Sequence, residues 1–326
     1  MRDFEILVFD GAYPSSVATS RDVLDAAVQV AAAMRLPTPS WGLYSLEGGR
    51  ISLRDGISVE TRALPPRRAS NRSVCIIPGL GADPDAILAH MRTPAGAAIA
   101  RRLASHVARG GQVAASCSAV FVLPAAGLLD GRRATTTWWL APALAQCAPD
   151  CTVDADRMVC VDGPIVTAGA AFAHADLMLH LVRARCGSAV ADRVARMLLL
   201  EHRVSQSAFV VPEVLASGNA LVAQLTARLE AALPQVPPIS QLARELCVSE
   251  RTLARHVRKA TGRSPLELVQ SVKLRRARAL LENSRMTIEQ IAGEVGYQDA
   301  TALRRLIRRV TGASPGRFRA AAMVSR

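Results

Sequence analysis

Two groups of residues in this 326-residue chain have the types and spacing to do chemistry. The first is Ala114-Ala115-Ser116-Cys117-Ser118-Ala119, where a buried strand-like run, Gln112–Ala115, leads into a cysteine and helical sequence starts directly after it. Small neighbours permit the tight strand-to-helix turn that presents a nucleophile. A thiol at a helix start is made more reactive by the N–H groups that face it. The second group is a pair of basic rows near the C-terminus. Arg251, Arg255, Arg258 and Lys259 surround an apolar stripe of Leu253 and Val257. Arg304, Arg305, Arg308 and Arg309 do the same around Leu303, Leu306 and Ile307. Helical rows of arginine backed by an apolar stripe are suited to meeting a polyanion.

The elements that must position the basic rows form two copies of one pattern. In the first, Gln241–Leu246 is a short amphipathic helix, Cys247-Val248-Ser249 is a turn, and Ser249 caps the helix Glu250–Ala260. Ala243 is small where the two helices cross. In the second, Thr287 caps a helix through Ile288, Ile291 and Ala292. Gly296 then supplies a turn that needs a positive φ, and the second helix begins near Ala300. Each copy ends in the same punctuation, Thr261-Gly262-Arg263-Ser264-Pro265 and Thr311-Gly312-Ala313-Ser314-Pro315, about 50 residues apart. Val269–Leu281 joins the copies, and Gly218–Leu233 is the first helix of the same domain.

Charge follows this division. The chain carries a net +13. From residue 216 onward there are 19 Lys+Arg against 8 Asp+Glu; the preceding residues hold 21 against 19. Charge alone leaves nucleic acid and anionic membrane open, and the joint spacing of two helix-turn-helix units selects nucleic acid. No secretory signal opens the chain and no apolar stretch approaches the roughly 20 residues needed to span a bilayer. The expected location is the cytosol, associated with the nucleoid. Seven irregularly spaced cysteines fit buried thiols in a reducing compartment.

The front of the chain alternates strands and helices. Ile6–Phe9, Trp41–Leu46, Val74–Ile77 and Gln112–Ala115 read as strands; Ser20–Met34, Gly96–Arg109, Ala171–Arg185 and Ala189–Leu200 read as helices. The expected fold is a flavodoxin-like α/β domain, a mostly parallel sheet flanked by helices, followed by an all-α domain with two helix-turn-helix units. The expected boundaries are 1–200, a linker over 201–216, and 217–326.

Residues 217–320 resemble the DNA-binding domain of the AraC/XylS family. The resemblance rests on Leu242-Ala243, Ser249-x-x-x-Leu253-x-Arg255, Gly262-x-Ser264-Pro265, Leu274-x-x-Ala277-x-x-Leu280-Leu281, Ile291-Ala292-x-x-x-Gly296-Tyr297 and Gly312-x-Ser314-Pro315. It implies two recognition helices entering successive major grooves about 34 Å apart. The residues placed at base edges and groove walls are Ser249, Glu250, Arg251, Ala254 and Arg255, then Ala300, Thr301, Arg304 and Arg305. Arginine matches the O6 and N7 acceptors of guanine, and the other basic residues are assigned to phosphates.

Residues 4–200 resemble the PfpI/ThiJ-like branch of the class I glutamine amidotransferase-like superfamily. The supporting motifs are Pro78-Gly79, the cysteine elbow, Leu128-Leu129-Asp130-Gly131 with Thr135-Thr136, and Val166-Thr167-Ala168-Gly169. Joined to an AraC-type end, this is similar to the GlxA subfamily of regulators. The hydrolases of the superfamily need a base beside the thiol. The resemblance places that histidine where this chain has Thr137, and the early acidic residue where it has Ser16, with Asp22 nearby. No catalytic residue is therefore assigned, and Cys117 is a vestigial elbow. Gly79, Cys117, Ser118, Thr137 and Trp138 are the expected effector pocket. Cys147, Cys151 and Cys160 lack tight metal spacing, and no metal or cofactor is expected. His174, Asp176 and His180 read as satisfied core or interface groups.

The expected function is a sequence-specific transcription activator, with a front domain that senses a small molecule, dimerises, or both. Expected partners are double-stranded promoter DNA, RNA polymerase, a small nitrogenous effector and a second copy of the chain. The alternative is a PfpI-type cysteine hydrolase or amidase tethered to DNA.

Overall fold

The computed structural model describes residues 3–64, 72–201, 203, 205–206, 219–311 and 314–316, with the side chains of 282, 283 and 309–313 excepted. The chain divides into two compact units, Met1–Arg203 and Val204–Arg326. Most of the expected linker, together with Gly218, Gly312 and the side chain of Arg309, lies outside the described residues. Among those described, no helix is long and apolar enough to cross a membrane.

The first unit is built on an eight-stranded sheet. Its strands are β1 (Phe4–Leu7), β2 (Trp41–Ser45), β3 (Glu47–Ser52), β4 (Ser58–Ala63), β5 (Val74–Ile77), β6 (Gln112–Ser116), β9 (Val159–Asp162) and β10 (Ile165–Ala168). The short strands β7 (Arg133–Ala134) and β8 (Thr152–Val153) pair apart from it. The order in the sheet is β3-β4-β2-β1-β5-β6-β10-β9. The six inner strands are parallel, and β3 and β9 close the two edges antiparallel. β5 and β10 are buried at every residue, as strands covered on both faces must be.

The helices of this unit are α1 (Pro14–Ala33), α2 (Pro84–Met91), α3 (Pro94–Ala108), α4 (Ala141–Cys147), α5 (Ala173–Cys186) and α6 (Ser188–Met197). The crossover through α1 leads from β1 to β2, and the one through α2 and α3 leads from β5 to β6, in the opposite direction along the sheet. Right-handed crossovers therefore put α1 on one face and α2 and α3 on the other. α5 and α6 pack beside α1. α1 starts six residues before the expected Ser20, because Pro14 at its first turn has φ already set for a helix and no N–H to lose. After Cys117 the chain continues as a 3₁₀ turn, Cys117–Val122, rather than the expected α-helix.

The second unit contains α7 (Ala220–Ala231), α8 (Ile239–Glu245), α9 (Glu250–Thr261), α10 (Pro265–Asn283), α11 (Ile288–Glu294) and α12 (Ala300–Thr311). It has two small cores. Leu225, Leu242, Leu253 and Val257 form one with Leu268 and Val272; Ile291, Val295, Leu303 and Ile307 form the other with Leu274 and Leu281. α10 supplies residues to both and is the strut that fixes one helix-turn-helix relative to the other. It begins four residues before the expected Val269. Ser264 and Glu267 close a reciprocal capping box there, and Pro265 occupies the first turn.

Candidate functional site

The two helix-turn-helix units share a turn with the same hydrogen bonds. In the first, Cys247 has φ 54°, and the Val248 N–H donates to the Ala243 carbonyl at 3.0 Å. In the second, Gly296 has φ 76°, and the Tyr297 N–H donates to the Ala292 carbonyl at 2.8 Å. These turns are 49 residues apart. The helices that follow are 50 apart: Ser249 caps α9 by accepting from the Thr252 N–H, and Asp299 accepts from the Thr301 N–H at 2.8 Å, ahead of α12. The second turn is thus one residue longer. Hydrogen bonding from Thr301 holds the Asp299 carboxyl below its usual range.

α9 buries Leu253, Val257 and Thr261. Ser249, Glu250, Arg251 and Arg255 are exposed and Ala254 is half-buried, all at the start of the helix or one turn into it. On α12, Thr301, Arg304 and Arg305 are exposed. Ala300 is the correction: it is buried in the second core, so its methyl group holds the helix start in place and is not presented outward. The copies also differ in pairing. Arg304 donates to the Glu289 carboxylate on α11 at 2.6 Å. In the first copy the α8 acid Glu245 instead binds Arg228 of α7 at 2.8 Å, and these hydrogen bonds hold its carboxyl below the usual range.

Gly296 is fixed by two demands. Its φ is positive, and a Cβ there would run into the Pro234 carbonyl. The Gly296 carbonyl accepts from Lys273 Nζ at 3.0 Å, and the same ammonium lies 4.7 Å from the centre of the Tyr297 ring. The turn is therefore tied both to α10 and to the loop after α7.

In the first unit, β6 runs extended through Ser116, and Cys117 reverses to φ 55°. A non-glycine residue seldom adopts this conformation, and here it is held from several sides. The Cys117 N–H donates to the Gly169 carbonyl at 2.8 Å, and the Cys117 carbonyl accepts from Thr136 Oγ1 at 2.7 Å. Ser118 Oγ donates to the Leu80 carbonyl and accepts from the Leu80 N–H, at 2.5 and 3.1 Å. Gly79 stands where a Cβ would come within 3.3 Å of the Cys117 Cβ and 3.4 Å of Ser16 Oγ. Gly79, Cys117, Ser118 and Thr137 are thus brought together, and Ser16 joins them.

The partner of the thiol is a hydroxyl. Thr137 Oγ1 donates to Cys117 Sγ at 3.1 Å. Ser16 is buried, and among the described residues its Oγ has no hydrogen-bond partner. Asp22 is exposed on α1. Trp138 is buried, with its ring edge-to-face against the exposed Trp139 at 4.9 Å. The Thr137 hydroxyl is not a base at neutral pH. Among the described residues no cluster of His, Cys, Asp and Glu has the arrangement to hold a metal ion, Cys147, Cys151 and Cys160 included.

A histidine does contact the residue directly before the elbow cysteine. His174 at the start of α5 bonds Ser116 and Ser20, and it is fully buried. Burial pushes its imidazole down to about 4. Two positions further on, the buried Asp176 carboxylate receives the Arg203 N–H, Nε and Nη2 at 2.9, 3.0 and 2.6 Å.

Both units resemble known proteins. The sequence profile of the DJ-1/PfpI family matches residues 68–184, and that of a helix-turn-helix domain matches residues 242–321. The HTH-type transcriptional regulator GlxA of Rhizobium meliloti (strain 1021) is 31% identical over 276 residues, covering 83% of this chain and 82% of that protein. The chain belongs to the GlxA-type family of transcriptional regulators. It is similar to two further regulators of Pseudomonas aeruginosa: CdhR, 28% identical over 86% of this chain and 81% of that protein, and GbdR, 25% identical over 84% and 73%. A putative transcriptional regulator from Vibrio parahaemolyticus has the same fold over 60% of this chain and 97% of its own, at 20% identity and a TM-score of 0.51. As a GlxA-type regulator the chain is a DNA-binding protein, and its α/β unit has the DJ-1/PfpI fold.

Proposed function

We propose that this GlxA-type regulator reads promoter DNA with α9 and α12 and activates transcription by engaging RNA polymerase in the bacterial cytosol. The observation that carries the reading is the repeated turn. Two positive-φ residues 49 apart lead into two helices whose outer faces carry Arg251 and Arg255, then Arg304 and Arg305. Ser249, Glu250, Ala254 and Thr301 complete the set that meets the groove; Ala300 is left out of it because it is buried.

The α/β unit acts as a sensor and dimerisation module and not as an enzyme. A nucleophilic thiol needs a base within hydrogen-bond reach, and Cys117 faces the hydroxyl proton of Thr137. The Ser16 hydroxyl beside Gly79, unpartnered among the described residues, favours a pocket that takes up a small nitrogenous effector with Cys117, Ser118 and Trp138 around it.

Genome-wide footprinting followed by mobility-shift titration tests the DNA reading. Discrete sites bound by the full chain, and weakened by changes in both recognition helices, are expected. Uniform binding without discrete sites overturns it. A purified front unit that hydrolyses amides in a Cys117-dependent manner overturns the non-enzymatic reading.

A further inference from the structure

A cavity of about 470 Å³ lies in the first unit at the carboxyl ends of β1 and β2, beneath α2 and the start of α3. That volume is in the range of small-molecule sites. Its place is also informative. From β1 the chain winds one way to β2, and from β5 it winds the other way to β6, so the strand order reverses between β1 and β5. Ligands of open parallel sheets bind outside the carboxyl ends of the strands at such a reversal.

The walls are apolar, with Phe9, Leu46 and Met91 among them, and the rim carries two exposed carboxylates, Asp10 and Glu47. Among the described residues no Lys or Arg lines it. Asp10 is oriented: its Oδ1 accepts the Ser52 N–H at 3.1 Å, which leaves Oδ2 for another donor. Arg54 is turned elsewhere, 3.3 Å from the Gly81 carbonyl and 5.6 Å from the centre of the Tyr13 ring. His90 stacks edge-on against Phe9.

We propose that this cavity, separate from the pocket at the cysteine elbow, is a binding site for a small organic cation with an apolar body. An anion entering it meets two like charges and, among the described residues, no Lys or Arg. A neutral apolar molecule fills the walls but leaves both carboxylates unused. A cation with a short hydrocarbon part satisfies both, because its charge stays at the rim beside Asp10 and Glu47 while its apolar part leaves water.

The inference rests on the reading of this unit as a sensor, and the experiment separates the two. The full chain is titrated with alkylammonium ions from ethyl to hexyl, and with alcohols and carboxylates of the same lengths, by calorimetry and thermal shift. The expected result is saturable binding of the ammonium ions in preference to both other series. The paired change Asp10→Asn and Glu47→Gln, which keeps the acceptor for Ser52, weakens that binding at least tenfold. Cys117→Ser leaves it unchanged. Preference for alcohols or carboxylates, indifference to the paired change, or loss of binding with Cys117→Ser overturns the proposal. If no compound of the three series binds, the cavity site is overturned. A metabolite screen that then finds a ligand dependent on Cys117 leaves the sensor reading standing, and a blank screen removes that too.

Discussion

His174 Nδ1 lies 2.8 Å from the hydroxyl of Ser116, the residue directly before the elbow cysteine. On its other side Nε2 lies 2.7 Å from Ser20 Oγ, which itself donates to the Ser16 carbonyl at 2.9 Å. Because Ser20 spends its one proton on that carbonyl, it accepts from Nε2–H, and Nδ1 accepts from Ser116. The neutral ring thereby ties the end of β6 to α1 and α5.

Stability of the α/β unit is expected to fall with acid in a defined window. Burial lowers the His174 imidazole to about 4 from 6.5. Between those values the unfolded chain binds a proton that the folded chain does not, so stability rises with pH. The contribution is fully present above about pH 6.5 and is lost as pH falls towards about 4, on the order of 3 kcal/mol in all. All three tryptophans, Trp41, Trp138 and Trp139, lie in this unit. Urea unfolding followed by tryptophan fluorescence at pH 7 and pH 5 therefore reports it selectively. His174→Gln should lower stability at pH 7 and flatten the dependence.

Gly296→Ala should destabilise the second helix-turn-helix by about 2 kcal/mol or more, since the new side chain meets both a disfavoured φ and the Pro234 carbonyl. The matched change in the first turn, Cys247→Gly, should shift stability by less than about 1 kcal/mol. Cys247 is exposed, already holds φ 54°, and gains backbone ease at the expense of unfolded-chain entropy. Thermal unfolding by circular dichroism compares the two; equal effects would remove the distinction.

Arg251→Ala and Arg305→Ala should each weaken binding to footprinted sites by about 1–3 kcal/mol and relax preference at one base position each. Mobility-shift titrations on the wild-type site and its single-base variants measure both effects. An unchanged affinity for either variant would move that arginine from the bases to a non-contacting face.

Glu289→Gln should strengthen binding to any duplex and steepen its salt dependence by about one unit of log–log slope. Glu289 holds Arg304 at 2.6 Å, so its charge competes with DNA for the same guanidinium. Titration at several salt concentrations reads the slope. A slope that does not change would mean that Arg304 stays away from the DNA.

Much of the organisation was legible because the signals were local. Val74–Ile77 is an unbroken apolar run and folds as a fully buried strand; Ser249 and Thr287 cap the helices they precede. The β3–β4 hairpin gives no such signal because it is a half-exposed edge, with Glu47, Arg50, Glu60 and Arg62 in place of an apolar alternation. The eight-residue α2 is too short for its period to stand out. The Ser20–His174–Ser116 network could not be read at all. Its members are 154 and 58 residues apart in the chain, and only the packing of α1 and α5 on β6 joins them.

The grip of Arg203 on Asp176 has a practical edge for anyone dissecting the protein. A fragment cut at residue 200, where the sequence invites a cut, ends three residues short of Arg203 and would strip a buried carboxylate on α5 of its guanidinium. Such a fragment would look like a domain that cannot stand alone, when the fault lay in the scissors. Extended past Arg203, the same piece keeps its own counter-ion and becomes a fair specimen on which to ask what the α/β unit recognises.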